Sequence, residues 1–365
     1  MKKVKIVFAM DYYRIPSWEY YLGNAMQKTG LADAIFVVGE IQNRQNLKID
    51  PKVIVLPPQF SLPDFHVFKY NLFYNTLKKL RPDFVIAVNL KNIQLTFSSF
   101  AKSDLGFKLV LKEHTPRTFL RKRYSLIYIP YLIWLRLQGA IAKKYIDGAI
   151  CITDAQRIFV SKYCKTNKPI EIIPSGVETT VFKPDRDVER EKAVVYIGRY
   201  FYTKLREFLP VIPSLISNFP DWKFVFVGDG SWSDRIKVLC ERFPNNIQDL
   251  GYINHDKLAS IINKCSIGIL PSTQVEPFGL TSLEMQSCGI PVIVSDIEGL
   301  RTTVVDNRSG LVVKPVSEKI ALALCDLMSN KKKREKLGKS ARGIAVEKYD
   351  WGVIAKKTIE FLIRL

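Results

Sequence analysis

Short apolar runs alternate with longer helical patterns almost from one end of the chain to the other. In the first half, Val4–Ala9, Ala34–Val38, Val53–Leu56, Phe84–Val88, Lys108–Leu111 and Gly148–Ile152 read as strands. In the second half the strand candidates are Val194–Ile197, Lys223–Val227, Ile247–Leu250, Ile267–Leu270, Pro291–Val294 and Gly310–Val313. Continuous apolar strands with helices between them belong to parallel sheets covered on both faces, the α/β class. Two such sets, each about the size of one doubly wound domain, predict two Rossmann-like halves. Pro and Gly punctuation from Ile172 to Pro184, then the charged run Asp185–Lys192, places the seam near residues 172–190. The expected domains are 1–172 and 173–349, and a cleft between them is the expected ligand site. The stretch Lys331–Leu365 is helical and basic, with apolar positions at Trp351, Ile354, Ala355, Ile359 and Leu362.

Size agrees with this division, because 365 residues exceed the ~250–300 at which a single core stops growing. A chain 47% hydrophobic and 25% charged is globular rather than disordered. Cys151, Cys164, Cys240, Cys265, Cys288 and Cys325 are scattered without a C-x-x-C pair, which favours reduced cytoplasmic thiols over a disulfide framework. His66, His114 and His255 lie at no ligand spacing from one another or from a cysteine, so no metal site is expected. The apolar start runs into Asp11, too short for a signal peptide, and no run reaches the ~18 apolar residues of a membrane span. Leu126–Leu135 comes nearest and contains Pro130. A soluble or peripheral protein is expected. The formal net charge of +20 attracts nucleic acid, anionic membrane or anionic small substrates without choosing among them.

The segment from Ile269 to Val294 carries the most chemistry. It reads as strand, loop, short helix ended by Gly289, and strand, with Pro277 and Gly279 forcing the loop and Thr281 or Ser282 able to cap the helix. Free N–H groups at the helix start form an anion site beyond the strand ends. Glu276 sits in the loop and Glu284 about one turn inside the helix, so amides are available for a diphosphate and carboxylates for pairs of hydroxyls. A second element is Val195–Lys204, where a strand ends at Gly198 and Arg199 and Lys204 follow. Together these cations suit a diphosphate clamp that neutralises a leaving group. The third is His114, just past a strand at the mouth of a parallel sheet.

Glu276 and Glu284 resemble the E-x7-E motif of glycosyltransferase family 4, and Glu276-Pro-Phe-Gly279 and Cys288-Gly-Ile-Pro-Val292 match its flanks. The resemblance implies a GT-B fold, two doubly wound Rossmann-like domains facing across a cleft, with a C-terminal helix at about 350–365 packing back on the first domain. It implies a nucleotide-sugar donor, retention of configuration, and neither metal nor cofactor; no D-x-D motif is present. By the same resemblance Glu276 contacts the transferred sugar and Glu284 the ribose, and the amides of Phe278, Gly279, Leu280 and Thr281 face sugar and diphosphate. Gly198-Arg199 through Lys204 is similar to the family's G-R-x4-K segment, with Leu205 where a glycine usually follows. The strand-end glycine turn is matched at Gly228, and the segment whose backbone meets the nucleobase at Tyr252 and Ile253. The family histidine that faces the reacting centre corresponds to His114. Gly176 through Pro184 resembles the interdomain signature. Two departures stand out. The family's Gly-Gly loop is replaced by Asp11–Glu19 without a glycine, leaving Asp11, Arg14 or Ser17 in its place, and Thr302 stands where a glutamate is usual.

Between Arg117 and Lys144 the chain carries Arg117, Arg121, Lys122, Arg123, Arg136, Lys143 and Lys144, interleaved with aromatic and aliphatic residues and no acid. That pattern suits peripheral contact with an anionic leaflet, and equally a helix with a solvated basic face. The expected partners are a nucleotide sugar and a glycan or lipid-linked acceptor, at the cytoplasmic face of a membrane. Rival readings are a nucleotide-sugar epimerase, a phosphorylase and a basic nucleic-acid-binding protein. The last lacks any helix-turn-helix, zinc-finger or RNP-type signature, so no nucleic-acid partner is expected.

Overall fold

Alternation along β1 shows how the first sheet is built. Ile6, Phe8 and Met10 enter one buried cluster, while Val7 and Ala9 enter another on the opposite face. A strand apolar on both sides must be covered on both sides. The computed structural model describes residues 3–14, 18–42, 53–62, 65–114 and 129–365. It divides into two compact units, Met1–Ser175 with Trp351–Leu365, and Gly176–Asp350.

In the first unit the strands are β1 (Val4–Arg14), β2 (Ala32–Gln42), β3 (Val53–Val55), β4 (Pro58–Leu62), β5 (Phe65–Phe68), β6 (Phe84–Val88), β7 (Lys108–Glu113), β8 (Gly148–Cys151) and β9 (Ile170–Ile172). All but β4 and β5 form a seven-stranded parallel sheet in the order β3-β2-β1-β6-β7-β8-β9; β4 and β5 pair as a separate antiparallel hairpin. Every strand expected from the apolar runs is present. The hairpin and β9 are additions that hydropathy did not signal, because β9 is only Ile-Glu-Ile after Pro169 and reads as linker. The helix Trp351–Arg364 belongs to this unit. Its Trp351, Ile354, Ala355, Ile359, Phe361 and Leu362 are buried with β1, β2 and the helix Trp18–Lys28.

The second unit contains β10 (Ala193–Ile197), β11 (Lys223–Val227), β12 (Ile247–Asp249), β13 (Ile267–Leu270), β14 (Val292–Ser295) and β15 (Gly310–Val313), all parallel in the order β12-β11-β10-β13-β14-β15. Its order reverses between β10 and β13, and that of the first sheet between β1 and β6. Loops leaving the carboxyl ends of strands at such a reversal open a crevice that can take a ligand. The charged run Asp185–Lys192 lies inside this unit. Arg190 reaches the carbonyls of Cys288 and Gly289, at 2.6 and 2.8 Å, and so satisfies the end of the helix Leu280–Ser287.

Candidate active site

Two loops leaving the second sheet at its reversal hold the expected charges together. After β10, Gly198 and Arg199 lead into the short helix Tyr202–Leu205, which carries Lys204. After β13, residues 271–279 carry Glu276. Thr273 fastens one to the other, since its N–H and Oγ1 both donate to the Thr203 carbonyl, at 2.7 and 2.9 Å. Lys204 Nζ therefore meets Glu276 Oε1 at 2.7 Å, both side chains being about one-fifth exposed. A third loop presses from behind: Gly299 has φ +92°, and a Cβ there would stand 1.9 Å from the Glu276 carbonyl oxygen. Only glycine accommodates both constraints.

Arg199 is exposed, with its guanidinium 4.9 Å from the Phe201 ring centroid, and its carbonyl accepts from Tyr196 Oη at 2.8 Å. Burial pushes the Tyr196 phenol well above its ordinary value, and the Glu276 charge adds to the rise. The turns at Gly198 and Gly228 touch directly, since a Cβ on Gly228 would lie 1.9 Å from the Gly198 oxygen. Tyr252 is 76% exposed and Ile253 partly so, on the loop following β12.

The helix Leu280–Ser287 starts differently from expectation. Gly279, at φ +114°, is the residue preceding it and no side chain caps it, while Thr281 and Ser282 lie inside the first turn. Glycine is needed there for its backbone angle, and Leu300 Cδ2 would sit 2.6 Å from any Cβ. The Ser282 amide bonds back to the Gly279 carbonyl at 3.0 Å, and Phe278 is buried beside the Tyr349 ring. With no side-chain oxygen in place, the first-turn amides of Leu280 and Thr281 suit an anion.

Glu284 is 8% exposed and does not stand alone. Its Oε1 lies 2.7 Å from His255 Nε2, a partner the sequence reading missed. That hydrogen bond raises the His255 pKa above its ordinary 6.5, against the opposing effect of burial. The signal available was weak: His255 follows the Leu250–Ile253 segment, but nothing in the spacing ties it to position 284. Thr302, at the departure from the family pattern, donates from Oγ1 to the Gly299 carbonyl at 2.6 Å.

His114 belongs to the first unit and has its own neighbours, which the sequence reading also missed. Its backbone N–H donates to Asn89 Oδ1 at 3.3 Å, and its Nε2 faces Asn89 Nδ2 at 3.3 Å. On the other side Nδ1 lies 3.4 Å from Glu19 Oε1, which Lys112 Nζ also reaches at 3.1 Å. Glu19 and Lys112 are each about 5% exposed. Burial favours a neutral Glu19, but Lys112 and then His114 outweigh it and hold its carboxyl below the ordinary value. Burial also holds the His114 imidazole below 6.5 despite the pull of Glu19. An amide nitrogen facing Nε2 places the ring proton on Nδ1, toward Glu19. Asn89 sits at φ +66°, a strained angle for a non-glycine residue.

Asp11 is 2% exposed, and its Oδ1 makes no hydrogen bond. Burial pushes its carboxyl up to about 7, against a hydrogen bond from Gln94 and the Lys91 charge. The Arg14 side chain and Ser17 lie outside the described residues, as does most of the basic stretch, since residues 115–128 are not described. What remains of that stretch is the helix Ile129–Tyr145. Its exposed side carries Ile129, Ile133 and Leu137, each about half exposed, with Arg136, Lys143 and Lys144. Among the described residues no helix is long and apolar enough to cross a membrane. Among them, too, no three His, Cys, Asp or Glu side chains converge as metal ligands. All six cysteines are unpaired.

These features have counterparts among known proteins. An uncharacterized glycosyltransferase of Methanocaldococcus jannaschii is 31% identical over 173 residues, covering 46% of this chain and 44% of that protein. A phosphatidyl-myo-inositol mannosyltransferase of Mycobacterium tuberculosis is 28% identical over 223 residues, covering 58% of each. The chain thus spans about half the length of these relatives. In fold the likeness extends over nearly the whole chain. Anabaena HepE, solved with UDP, superposes with a TM-score of 0.79 over 99% of this chain and 100% of that one, at 19% identity. A glycosyltransferase from Rickettsia africae gives 0.76 over 100% and 99%, at 18% identity. The fold is therefore the two-domain α/β architecture of GT-B glycosyltransferases. Residues 178–344, which contain Arg199, Lys204, His255, Glu276 and Glu284, match the family model of glycosyl transferases group 1.

Proposed function

We propose that the chain transfers a sugar from a nucleoside-diphosphate sugar to a hydroxyl of an acceptor, with retention of configuration and without a metal ion. The observation that carries this reading is the Lys204–Glu276 pair at the carboxyl ends of β10 and β13, beside the uncapped start of the helix that holds Glu284. Two loops and a helix N-terminus, following the carboxyl ends of β10 and β13, offer cations, amides and two carboxylates. That set matches a ligand with a diphosphate in its middle and hydroxyls at both ends. The UDP held by HepE and the mannosyl transfer named for the mycobacterial relative support the same class of donor.

In this reading Arg199 and Lys204 neutralise the diphosphate, with the amides of Phe278, Gly279, Leu280 and Thr281 around sugar and diphosphate. Gly198 and Gly228, lacking side chains, let the ligand approach the backbone. Glu284 holds the ribose and Glu276 the transferred sugar, while Tyr252 and Ile253 border the nucleobase. His114 takes the part of the family histidine that faces the sugar. The acceptor oxygen bonds to the anomeric carbon on the face from which the nucleotide leaves. As the bond from that carbon to the phosphate oxygen breaks, the departing oxygen takes the acceptor's proton. Orientation and charge stabilisation then supply the catalysis, with no protein nucleophile.

A lipid-linked or glycan acceptor at the cytoplasmic membrane face suits the exposed Ile129, Ile133 and Leu137 among basic residues, and six unpaired thiols suit a reducing compartment. Calorimetry with UDP, GDP, ADP and CDP, chelator present, tests the donor site. One of the four is expected to bind wild type, and Glu284→Ala to weaken it by about 1–3 kcal/mol, as for a lost charged hydrogen bond. Binding of none, or equal binding by the variant, refutes the assignment.

A further inference from the structure

The pair formed by His255 and Glu284 links two parts of the donor site that lie far apart in sequence. His255 follows the loop Leu250–Ile253, where the nucleobase is placed, whereas Glu284 lies in the second turn of the helix Leu280–Ser287. Between them there is one hydrogen bond of 2.7 Å. Against a carboxylate oxygen, which only accepts, Nε2 is the donor. The ring is itself held, with its centroid 5.1 Å from that of the buried Phe182. Phe182 is tied to the same helix, since its carbonyl accepts from Ser287 Oγ at 2.5 Å. The imidazole is thus braced on one side and bonded on the other, and Glu284 Oε1 is taken.

We propose that His255 is a positioning residue for the donor: by occupying Oε1 it fixes the Glu284 carboxylate so that Oε2 is presented to the ribose hydroxyls. This rests on the reading of Glu284 as the ribose-binding acid. A carboxylate with free rotation about its last bond must be ordered when the ligand arrives, and a prior hydrogen bond removes part of that cost. The same bond joins the nucleobase loop to the ribose acid, so their spacing is set before the nucleotide binds. His255 acts through Glu284, and its contribution belongs to the ribose alone.

That last point makes the proposal testable against a merely structural role. The probe is whichever of UDP, GDP, ADP and CDP binds wild type, together with its 2′,3′-dideoxy analogue. His255→Leu removes the donor at similar volume, and His255→Gln restores an N–H near the position of Nε2. For the ribonucleotide we expect His255→Leu to raise Kd about tenfold, the scale of one hydrogen bond, and His255→Gln to recover most of the loss. For the dideoxy analogue both variants should bind like wild type, because the hydroxyls that Glu284 receives are gone. Unchanged ribonucleotide binding by His255→Leu overturns the proposal. So does an equal loss for both nucleotides, which would mean a general disturbance of the loop. Thermal melts of both variants identify misfolding; if His255→Leu does not fold, His255→Phe, which keeps an aromatic ring against Phe182 but has no donor, makes the same comparison on the two nucleotides, since a merely structural histidine would shift both affinities in parallel. Glu284→Ala separates the two levels. If it binds the ribonucleotide as wild type does, the ribose assignment itself fails, whatever His255 does.

Discussion

Asp11 is a carboxylic acid kept buried against the cost of its own charge. The folded protein retains its proton up to about pH 7, whereas an unfolded chain loses it near 3.8. Between those values the folded state binds more protons, so stability falls as pH climbs from about 4 to 7. Asp11→Asn, neutral and of the same shape, should therefore stabilise the protein at pH 8, on the order of 4 kcal/mol, and have little effect at pH 3, below both values. Denaturant unfolding at the two pH values measures this, and an equal effect at both would refute it. At this scale sequence and structure inform unequally. Glu276, Lys204 and Glu284 were legible because a loop, a glycine and a helix fix their surroundings within a few residues. His255, Glu19, Lys112 and Asn89 were not, because each acts across tertiary contacts that no spacing encodes. The capping of the helix at Leu280 was misjudged for a related reason: Thr281 and Ser282 look like caps, but the φ of Gly279 and the crowding by Leu300 decide where the turn begins.

Among the elements, the helix Ile129–Tyr145 has the least settled role in the sequence and the plainest exposed face. Leu135, Gln138, Gly139 and Ala142 are buried. Ile129, Ile133 and Leu137, four residues apart, share the opposite face with Arg136 nearby and Lys143 and Lys144 in the last turn. An apolar stripe bordered by cations is suited to the boundary of an anionic leaflet. The protein should sediment with vesicles containing phosphatidylglycerol but not with pure phosphatidylcholine. Ile133→Asp with Leu137→Asp should weaken that binding at least tenfold while leaving nucleotide affinity unchanged. Equal sedimentation of the double variant would assign the face to some other role. The strands, by contrast, were read almost completely, since a buried parallel strand must be apolar throughout its length. The exceptions, β9 and the hairpin of β4 and β5, are short and carry polar residues or proline, so hydropathy does not distinguish them from loop.

The whole molecule follows from the return of its last helix to its first unit. Trp351, Ile354, Ile359, Phe361 and Leu362 are all buried against β1, β2 and the helix Trp18–Lys28. At about 1.5–3 kcal/mol for each large apolar side chain, their burial contributes roughly 10 kcal/mol, comparable to the whole stability of a domain. A chain ending at Asp350 should lose amide protection across the first unit and bind a hydrophobic dye. Protection like that of the intact chain on hydrogen exchange would show that the helix is dispensable. The two places where the chain passes between units are tied together in sequence-distant pairs: the Val177 N–H donates to the Tyr349 carbonyl at 2.8 Å, and Thr179 Oγ1 to Asp350 Oδ2 at 2.5 Å. The return of the helix also sets a timetable on the ribosome. At ~5–20 residues per second, the stretch Gly176–Asp350 takes roughly 10–35 s to emerge, and for that interval the older unit waits with one flank of its core bare. The unit whose strands are made earlier is thus completed only after the later one, and until then it exposes the apolar flank that the helix covers.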